Sequence, residues 1–237
     1  MDRIKGMISY FTKIEWTLWL GSVSVILAAF FLFDGENGMT LAASLIGVTS
    51  LIFAAKGHPV SQALMVLFSL LYGIISYSFS YYGEMLTYLG MTMPMAIFAL
   101  ISWLKHPYQG NKAEVQVNRL GKTEKKRALL LTVAVTVLFF FILAAFHTAN
   151  LIPSTLSVTT SFLAVYLTAR RSPFYALAYA ANDLVLIILW ILASMEDVSY
   201  VAVVACFAAF FVNDLYGFFS WRAMERRQAA GKTVYVP

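Results

Sequence analysis

Two aspartates lie deep inside long apolar stretches of the sequence, where a charged side chain is unusual. They are Asp183 and Asp214, and each is preceded by asparagine and followed by leucine. A charge inside a membrane span costs about 2.5 to 3.5 kcal/mol on insertion scales, so an acid at such a position is a functional candidate. These carboxyl groups could balance a cationic ligand, carry a proton, or act together as an acid–base dyad.

Helical spacing brings polar and aromatic side chains to the same face as the first aspartate. Tyr179, Asn182, Asp183 and Trp190 recur at steps that place them on one broad face of a helix. At a rise of about 1.5 Å per residue, Asp183 lies about 18 Å from the outer end of its helix, and Asp214 about 24 Å from the outer end of the next. The two carboxyl groups are therefore predicted to lie at similar depth.

The second aspartate belongs to a similar face. Asn213, Asp214, Gly217 and Trp221 align on it. Gly217 would permit close approach of a ligand or of a neighbouring helix, because glycine has no side chain to separate them.

Each of these residues also has a purely structural interpretation. Asn and Asp within spans can join helices through hydrogen bonds worth about 0.6 kcal/mol on average. Thr49 and Tyr72, polar positions in the first half of the chain, could line a cavity or merely pack. Trp103 and Trp221 lie near a predicted membrane interface, where tryptophan commonly anchors a helix.

The elements that would hold these residues are membrane-spanning helices. The chain has 237 residues, of which 60% are hydrophobic and 12% charged, and its mean hydropathy is +0.75. Since a span needs about 20 apolar residues, the fold class predicted is all-α, a polytopic membrane protein of about eight transmembrane helices. The longest polar stretch, 105–126, is too short for a separate catalytic domain. The predicted spans are 16–33, 39–55, 60–82, 85–104, 127–147, 151–169, 173–195 and 198–221.

Basic residues predict the orientation, because cytoplasmic loops carry the excess of Lys and Arg. With both termini in the cytoplasm, all 17 Lys and Arg fall on the cytoplasmic side. This pattern predicts a multi-pass protein of the bacterial inner (plasma) membrane with cytoplasmic N- and C-termini. The net charge of +5 then reflects topology within the lipid bilayer, with no nucleic acid as partner. The loops on the side opposite to the cytoplasm carry only acidic charges, from Asp34, Glu36, Glu84, Glu196 and Asp197.

The three histidines and one cysteine show no metal-ligand spacing, so no metal and no cofactor are predicted.

Two segments of the chain are weakly alike. Residues 44–104 and 154–222 each contain a hydroxyl-bearing triplet, a basic turn before a proline, and a terminal Ser-Trp pair. Two three-helix units share one orientation only when an odd number of helices joins them, which predicts parallel repeats of transporter type. The predicted organisation is an N-terminus with an accessory helix (1–38), a first three-helix repeat (39–104), a loop with a linker helix (105–150), a second three-helix repeat (151–222) and a cytoplasmic tail (223–237).

Three short stretches resemble the PnuC family of vitamin transporters. They are Ala54-Ala55-Lys56-Gly57, then Tyr82-Gly83-Glu84-Met85 leading to Pro94-Met95, and Asn213-Asp214-Leu215-Tyr216-Gly217-Phe218 with Trp221. The resemblance covers roughly residues 40–222. It implies a fold like that of SWEET sugar transporters, import of nicotinamide riboside, a homotrimer, and a cytosolic kinase that traps the substrate. Where this chain reads Arg170-Arg171-Ser172-Pro173-Phe174, family members often carry a Gln and an aromatic-rich segment, which bears on the substrate.

The implied substrate fits the side chains at hand. Nicotinamide riboside has a cationic pyridinium ring, a carboxamide and ribose hydroxyls. Trp190 and nearby tyrosines could stack on the ring through a cation–π attraction of about 2 kcal/mol. The asparagines could bind the amide or hydroxyls, and either aspartate could balance the charge. The predicted substrate-binding residues are Asn182, Asp183, Trp190, Tyr179, Asn213, Asp214, Tyr216, Gly217, Tyr72 and Thr49, and no catalytic residue is predicted.

Other functions remain open at this stage. No glycine-rich phosphate motif occurs, so facilitated diffusion is the simplest mechanism. Aromatic stacking accepts many ring systems, so thiamine or riboflavin could be the vitamin carried. A proton-coupled carrier, an intramembrane enzyme with an Asp dyad, and a receptor are the remaining alternatives.

Overall fold

The computed structural model describes residues 10–78, 82–148 and 150–233. In this part of the chain, eight helices are long and apolar enough to cross a membrane, which confirms the predicted number. They are α1 (Lys13–Ala29, continued by a π-helical turn Phe30–Asp34), α2 (Gly38–Ala55), α3 (Val60–Ser78), α4 (Tyr82–Thr87, a π-helical turn Tyr88–Thr92, and Met93–Lys105), α5 (Lys122–Ala145), α6 (Leu151–Ala169), α7 (Tyr175–Ser194) and α8 (Val201–Thr233, preceded by a 3₁₀ turn Val198–Tyr200).

The helices alternate in direction, so the loop charges separate to the two ends of the bundle. We call the end that carries Lys56 and Arg170 the basic end, and the end that carries Asp34 and Asp197 the acidic end. Arg3 and Lys5, which contributed to the predicted orientation, lie outside the described residues, as do the side chains of residues 82–84 in the second family-like stretch.

The last helix is longer than hydropathy predicted. It was expected to end near residue 221, but α8 continues to Thr233. The extension is polar, and its buried side chains Glu225 and Gln228 bond to the segment that precedes α5. A hydropathy profile cannot detect a helix that is held by such polar contacts.

The segment between α4 and α5 forms a small antiparallel hairpin, β1 (Pro107–Tyr108) and β2 (Asn111–Val115). It lies across the basic end and bonds to two helix-ending turns. The Val115 N–H donates to the Gly57 carbonyl over 3.0 Å, and the Asn118 N–H donates to the Arg171 carbonyl over 3.0 Å. The segment between α4 and α5 is therefore part of the bundle.

The two turns contacted by this segment have the same geometry. After α2, Gly57 takes a left-handed conformation (φ 67°), and the N–H of His58 donates to the carbonyl of Phe53. After α6, Arg171 takes the same conformation (φ 57°), and Ser172 bonds back to Leu167 in the same pattern. Both are Schellman helix ends followed by proline. The two turns therefore share one local geometry, while the predicted repeats and their boundaries stay a prediction.

Packing between the two predicted three-helix units, α2 to α4 and α6 to α8, is reciprocal. Besides the contacts within each unit, α8 packs on α2 and α4 packs on α6, so the third helix of each unit meets the first helix of the other. The apolar core between them includes Val48, Phe68, Leu186 and Phe210. A Cβ atom at Gly47 would overlap the Phe210 ring, so glycine is required for this approach. α5 lies at the periphery and exposes apolar side chains such as Leu129.

Candidate functional site

The two intramembrane aspartates meet between α7 and α8. Asp183 is 3% exposed and Asp214 is 4% exposed, and their carboxyl groups are hydrogen-bonded to each other. Oδ2 of Asp183 is buried and accepts no hydrogen bond from an N–H or O–H donor within the described part of the chain. The predicted agreement in depth between Asp183 and Asp214 is thus a direct contact, which we call the carboxyl pair.

Two tyrosines continue from the carboxyl pair toward the basic end. Tyr179 and Tyr175 lie one and two turns before Asp183 on α7, and both are close enough to Asp214 for electrostatic interaction. Their rings are 6.2 Å apart between centroids, edge to face. The Tyr175 ring then meets the indole of Trp221 at 5.0 Å. We call Tyr175 and Tyr179 the tyrosine column.

A cavity of about 40 Å³ lies on the other side of the carboxyl pair, toward the acidic end. Tyr72 and Trp190, both predicted from the sequence, line it, and the Trp190 ring lies 5.3 Å from that of Tyr200. This volume holds only a few water molecules, whereas pockets for drug-sized ligands have about 300 to 1,000 Å³. A nucleoside can therefore enter only if the lining helices or side chains move. The lining residues are Asp34, Asn37, Thr40, Tyr72, Ile75, Ser76, Trp190, Ser199, Tyr200 and Val203.

Sequence reasoning missed several residues of this cavity. Tyr200 and Ser199 precede the last helix, and Asp34 and Asn37 lie between α1 and α2. Asp34 and Asn37 were taken as loop residues and Ser199 and Tyr200 as the start of the last span, because hydropathy marks only apolar length. The useful signal would have been an aromatic residue directly beside an acidic turn, as at Asp197-Val198-Ser199-Tyr200.

The two asparagines that precede the aspartates bind neighbouring helices. Asn182 accepts hydrogen bonds from the hydroxyls of Ser157 and Thr160 on α6, over 3.3 and 2.9 Å. Asn213 donates to the hydroxyl of Ser22 on α1 over 2.8 Å. Its Oδ1 atom is buried without a hydrogen-bond partner among the residues described. Both amides therefore join helices, and Asn213 keeps one acceptor that a ligand could use.

Thr49, Tyr216 and Gly217 face other parts of the protein. The Thr49 hydroxyl accepts from the indole of Trp19 on α1 over 3.1 Å. The Tyr216 hydroxyl donates to a Glu15 carboxylate oxygen over 3.1 Å. A Cβ atom at Gly217 would lie 3.6 Å from that of Ala176 on α7, an ordinary contact distance. The structure does not bring these three positions into the cavity at the acidic end.

An open cleft of about 440 Å³ lies at the basic end, beside α1. Glu15, whose side chain is 4% exposed, accepts from the Lys56 ammonium over 3.1 Å. That ammonium also lies 4.7 Å from the centroid of the Tyr10 ring. Burial, together with the carboxylates of Glu15 and Glu114, raises the pKa of Tyr10 to about 12. α1 is therefore tied to α2 through Lys56 and to α8 through Tyr216.

The two tryptophans interpreted as interfacial anchors are fully buried. Trp103 and Trp221 are both 0% exposed, and their rings lie 5.4 Å apart. An interfacial anchor keeps part of its ring in contact with lipid headgroups and water, so that interpretation is wrong. Together the carboxyl pair, the tyrosine column and the two tryptophans form one line, which is buried except at the half-buried Tyr179.

Known proteins agree with the resemblance drawn from the sequence. A solved structure described as the crystal structure of the vitamin B3 transporter PnuC matches with a TM-score of 0.80 and 21% identity, covering 92% of this chain and 94% of the other. At that identity the match shows the fold. The nicotinamide riboside transporter PnuC of Neisseria mucosa is 26% identical over 218 residues, which cover 90% of this chain and 82% of the relative.

A family model provides the assignment. The model for nicotinamide mononucleotide transporters matches residues 37–223, which include α2 to α7 and most of α8. The match therefore spans the carboxyl pair, the tyrosine column and both tryptophans. The predicted family resemblance and the all-α, eight-helix fold class are confirmed. The chain belongs to the nicotinamide mononucleotide transporter family.

Proposed function

We propose that this protein carries nicotinamide riboside across the bacterial inner membrane by facilitated diffusion, with both termini in the cytoplasm. The observation that carries the proposal is the buried carboxyl pair placed between aromatic side chains in a member of this family. Nicotinamide riboside is a cation with a flat ring, so it requires negative charge and π-faces along its route.

The recognition chemistry follows from the groups on either side of the pair. On the acidic-end side of the carboxyl pair, ring faces are offered by Trp190, Tyr72 and Tyr200. On the basic-end side, Tyr179 offers one. A desolvated cation over such a ring gains about 2 kcal/mol. The free Oδ1 of Asn213 can accept a hydrogen bond from the carboxamide or from a ribose hydroxyl.

Charge favours the riboside over its phosphorylated form. The family name refers to nicotinamide mononucleotide and the relative's name to nicotinamide riboside, and these compounds differ by one phosphate group. Within the described residues, Lys and Arg lie at the basic end, and the line from Trp190 to Tyr175 contains two carboxyl groups and no cation. A phosphate dianion entering this line would meet like charge without a partner, which is costly in a membrane interior.

Transport would require the two three-helix units to move relative to each other, because the cavity is smaller than the substrate. Facilitated diffusion needs no energy source, and phosphorylation of the riboside by a cytosolic kinase would then prevent its return. We expect the protein to form a homotrimer with one transport pathway in each protomer.

A proton-coupled carrier is the second candidate, and the carboxyl pair is the observation that favours it. A hydrogen bond between two carboxyl groups needs a proton on one of them, so the pair could exchange that proton during each cycle. An enzyme that uses the same pair as an acid–base dyad would convert its substrate, whereas a transporter returns it unchanged.

The test is uptake of labelled nicotinamide riboside by sealed proteoliposomes that contain only this protein. Facilitated diffusion predicts equilibration without a gradient, and an imposed pH gradient should leave the plateau unchanged. Excess unlabelled riboside should block uptake, and excess mononucleotide should not. Thiamine and riboflavin serve as further competitors, because effective competition by either would identify another vitamin. Accumulation driven by a pH gradient would instead support the proton-coupled carrier, and a chemically altered product would support an enzyme.

A further inference from the structure

Two consecutive side chains in the interior of α8 bond to the end of α2. The indole N–H of Trp221 donates to the carbonyl of Ala54 over 2.7 Å, and the hydroxyl of Ser220 donates to the carbonyl of Ala55 over 2.7 Å. Both acceptors belong to the last turn of α2. Carbonyls in a last helical turn lack the usual partner four residues later in the helix, so they are available to accept from a neighbouring helix.

The same arrangement occurs a second time between the other two helices. The indole N–H of Trp103 on α4 donates to the carbonyl of Thr168 over 2.9 Å, and the hydroxyl of Ser102 donates to the carbonyl of Ala169 over 2.8 Å. Each Ser-Trp pair therefore bonds to the last turn of the first helix in the opposite three-helix unit. Each of these bonds has its donor in one unit and its acceptor in the other.

The two tryptophans close the line at the basic end. Their rings are in contact with each other and are fully buried, and Tyr175 connects them to the carboxyl pair. Val115 of the hairpin, also 0% exposed, packs in the same apolar cluster. A substrate that leaves the carboxyl pair toward the basic end must therefore pass the position where these two rings meet.

The bonds are of a kind that can open and close. The Ala54 carbonyl also accepts from the N–H of Gly57, and the Thr168 carbonyl also accepts from the N–H of Arg171, each over 2.9 Å. Each acceptor thus keeps a local partner when the indole leaves, and water can replace the indole at the basic end. The helix ends remain intact in either state, so the two units can separate without unfolding a turn.

We propose that Trp103 and Trp221, each with the serine before it, form a two-part gate that closes the transport route at the basic end. The proposal rests on the proposed function only for the identity of what passes. The gate opens when the two units move apart, because both Ser-Trp pairs bridge the units. Its two halves contribute alike, since each makes the same pair of bonds to an equivalent helix end.

The test measures access to the route without any substrate. Tyr179→Cys places a reporter thiol between the gate and the carboxyl pair, and Cys206→Ala removes the native thiol. A membrane-impermeant thiol reagent is applied to each side of the membrane in turn, using inside-out and right-side-out vesicles. Trp103→Phe and Trp221→Phe remove one indole N–H each and retain an aromatic ring. Trp19→Phe is the matched control, because the Trp19 indole also donates to a neighbouring helix but lies away from the route.

Each gate variant should label faster than the control from the basic-end side, by about three- to tenfold if one neutral hydrogen bond is lost. Labelling from the acidic-end side should not change, and the double variant should label faster than either single one. Rates equal to those of Trp19→Phe, or an effect at only one of the two tryptophans, would overturn the two-part gate. If a phenylalanine variant does not fold, Ser102→Ala and Ser220→Ala test the same bonds with a smaller change. Because labelling needs no substrate, failure of the gate is distinguishable from failure of the riboside assignment.

Discussion

Replacing both members of the carboxyl pair with asparagine should weaken binding of nicotinamide riboside by up to about a hundredfold. The estimate uses the position of Tyr179, which lies one helical turn, about 6 Å, from Asp183. A cationic ring stacked there interacts with one negative charge by about 2.8 kcal/mol at an effective dielectric constant of about 20, which corresponds to about a hundredfold in Kd.

Single replacements should have a much smaller effect. The hydrogen bond between Asp183 and Asp214 requires at least one proton, so the pair holds at most one negative charge, and a bound cation favours the state that carries it. An asparagine at either position supplies an amide donor to the remaining carboxylate and leaves that charge in place. We therefore expect Asp183→Asn and Asp214→Asn to change Kd by less than about threefold, within the worth of one hydrogen bond.

The assay compares two ligands of the same shape and different charge. Nicotinamide riboside is cationic, and its reduced dihydro form has a neutral ring. Binding of both is measured by calorimetry for the wild type, the two single variants and the double variant. The double variant should lose affinity for the cation only. Equal losses for both ligands would refute the electrostatic reasoning and indicate a packing role, and unchanged affinity for the cation would exclude the pair from the site.

Three further outcomes are expected. Lys56→Met leaves the buried Glu15 carboxylate without its cation and should lower the free energy of unfolding by up to about 3 kcal/mol, measured as a lower melting temperature that Glu15→Gln in the same background largely restores. Asn213→Ala should raise KM for uptake about three- to tenfold if its free oxygen contacts substrate, whereas Ser22→Ala, which breaks the same bond between helices, should change stability alone. Burial lowers the pKa of His58, whose Nδ1 accepts a hydrogen bond from the backbone N–H two residues later over 3.1 Å. The unfolded chain therefore binds a proton at His58 more readily than the folded protein does. The free energy of unfolding should fall as pH falls below about 6.5 toward the pKa of the folded state, and this fall should be smaller in His58→Asn.

The sequence predicted what depends on local composition. Apolar length gave the eight spans, and counting the helical rise brought Asp183 and Asp214 to similar depth before their contact was known. The basic turns before Pro59 and Pro173 were matched by residue type alone, and they have the same Schellman geometry. These features depend on residues close together in the chain, which is why a one-dimensional reading found them.

What the sequence could not provide depends on distant partners. An asparagine amide serves equally well as a ligand contact and as a bond between helices, and only the positions of Ser22, Ser157 and Thr160 show that Asn213 and Asn182 do the latter. Likewise, an aromatic residue near a span end suggests an anchor until its neighbours are known. The carbonyl bonded by the Trp221 indole lies 167 residues away in the chain, and no periodicity records such a pairing.

The two halves of the protein share the helix ends and the Ser-Trp pairs of the proposed gate but differ at the candidate binding site. Asp183 lies 10 residues after Pro173, and the residue 10 after Pro59 is Ser69. Asp214 lies seven residues before Trp221, and the residue seven before Trp103 is Ala96. Both equivalents are buried, and neither carries charge. A gate with two equal halves needs two equivalent helix ends and two Ser-Trp pairs. A binding site for one monovalent cation needs only one negative charge. A second carboxyl pair at 69 and 96 would be left without a partner in a membrane interior, so an asymmetric site within a symmetric frame is what the substrate's single charge requires.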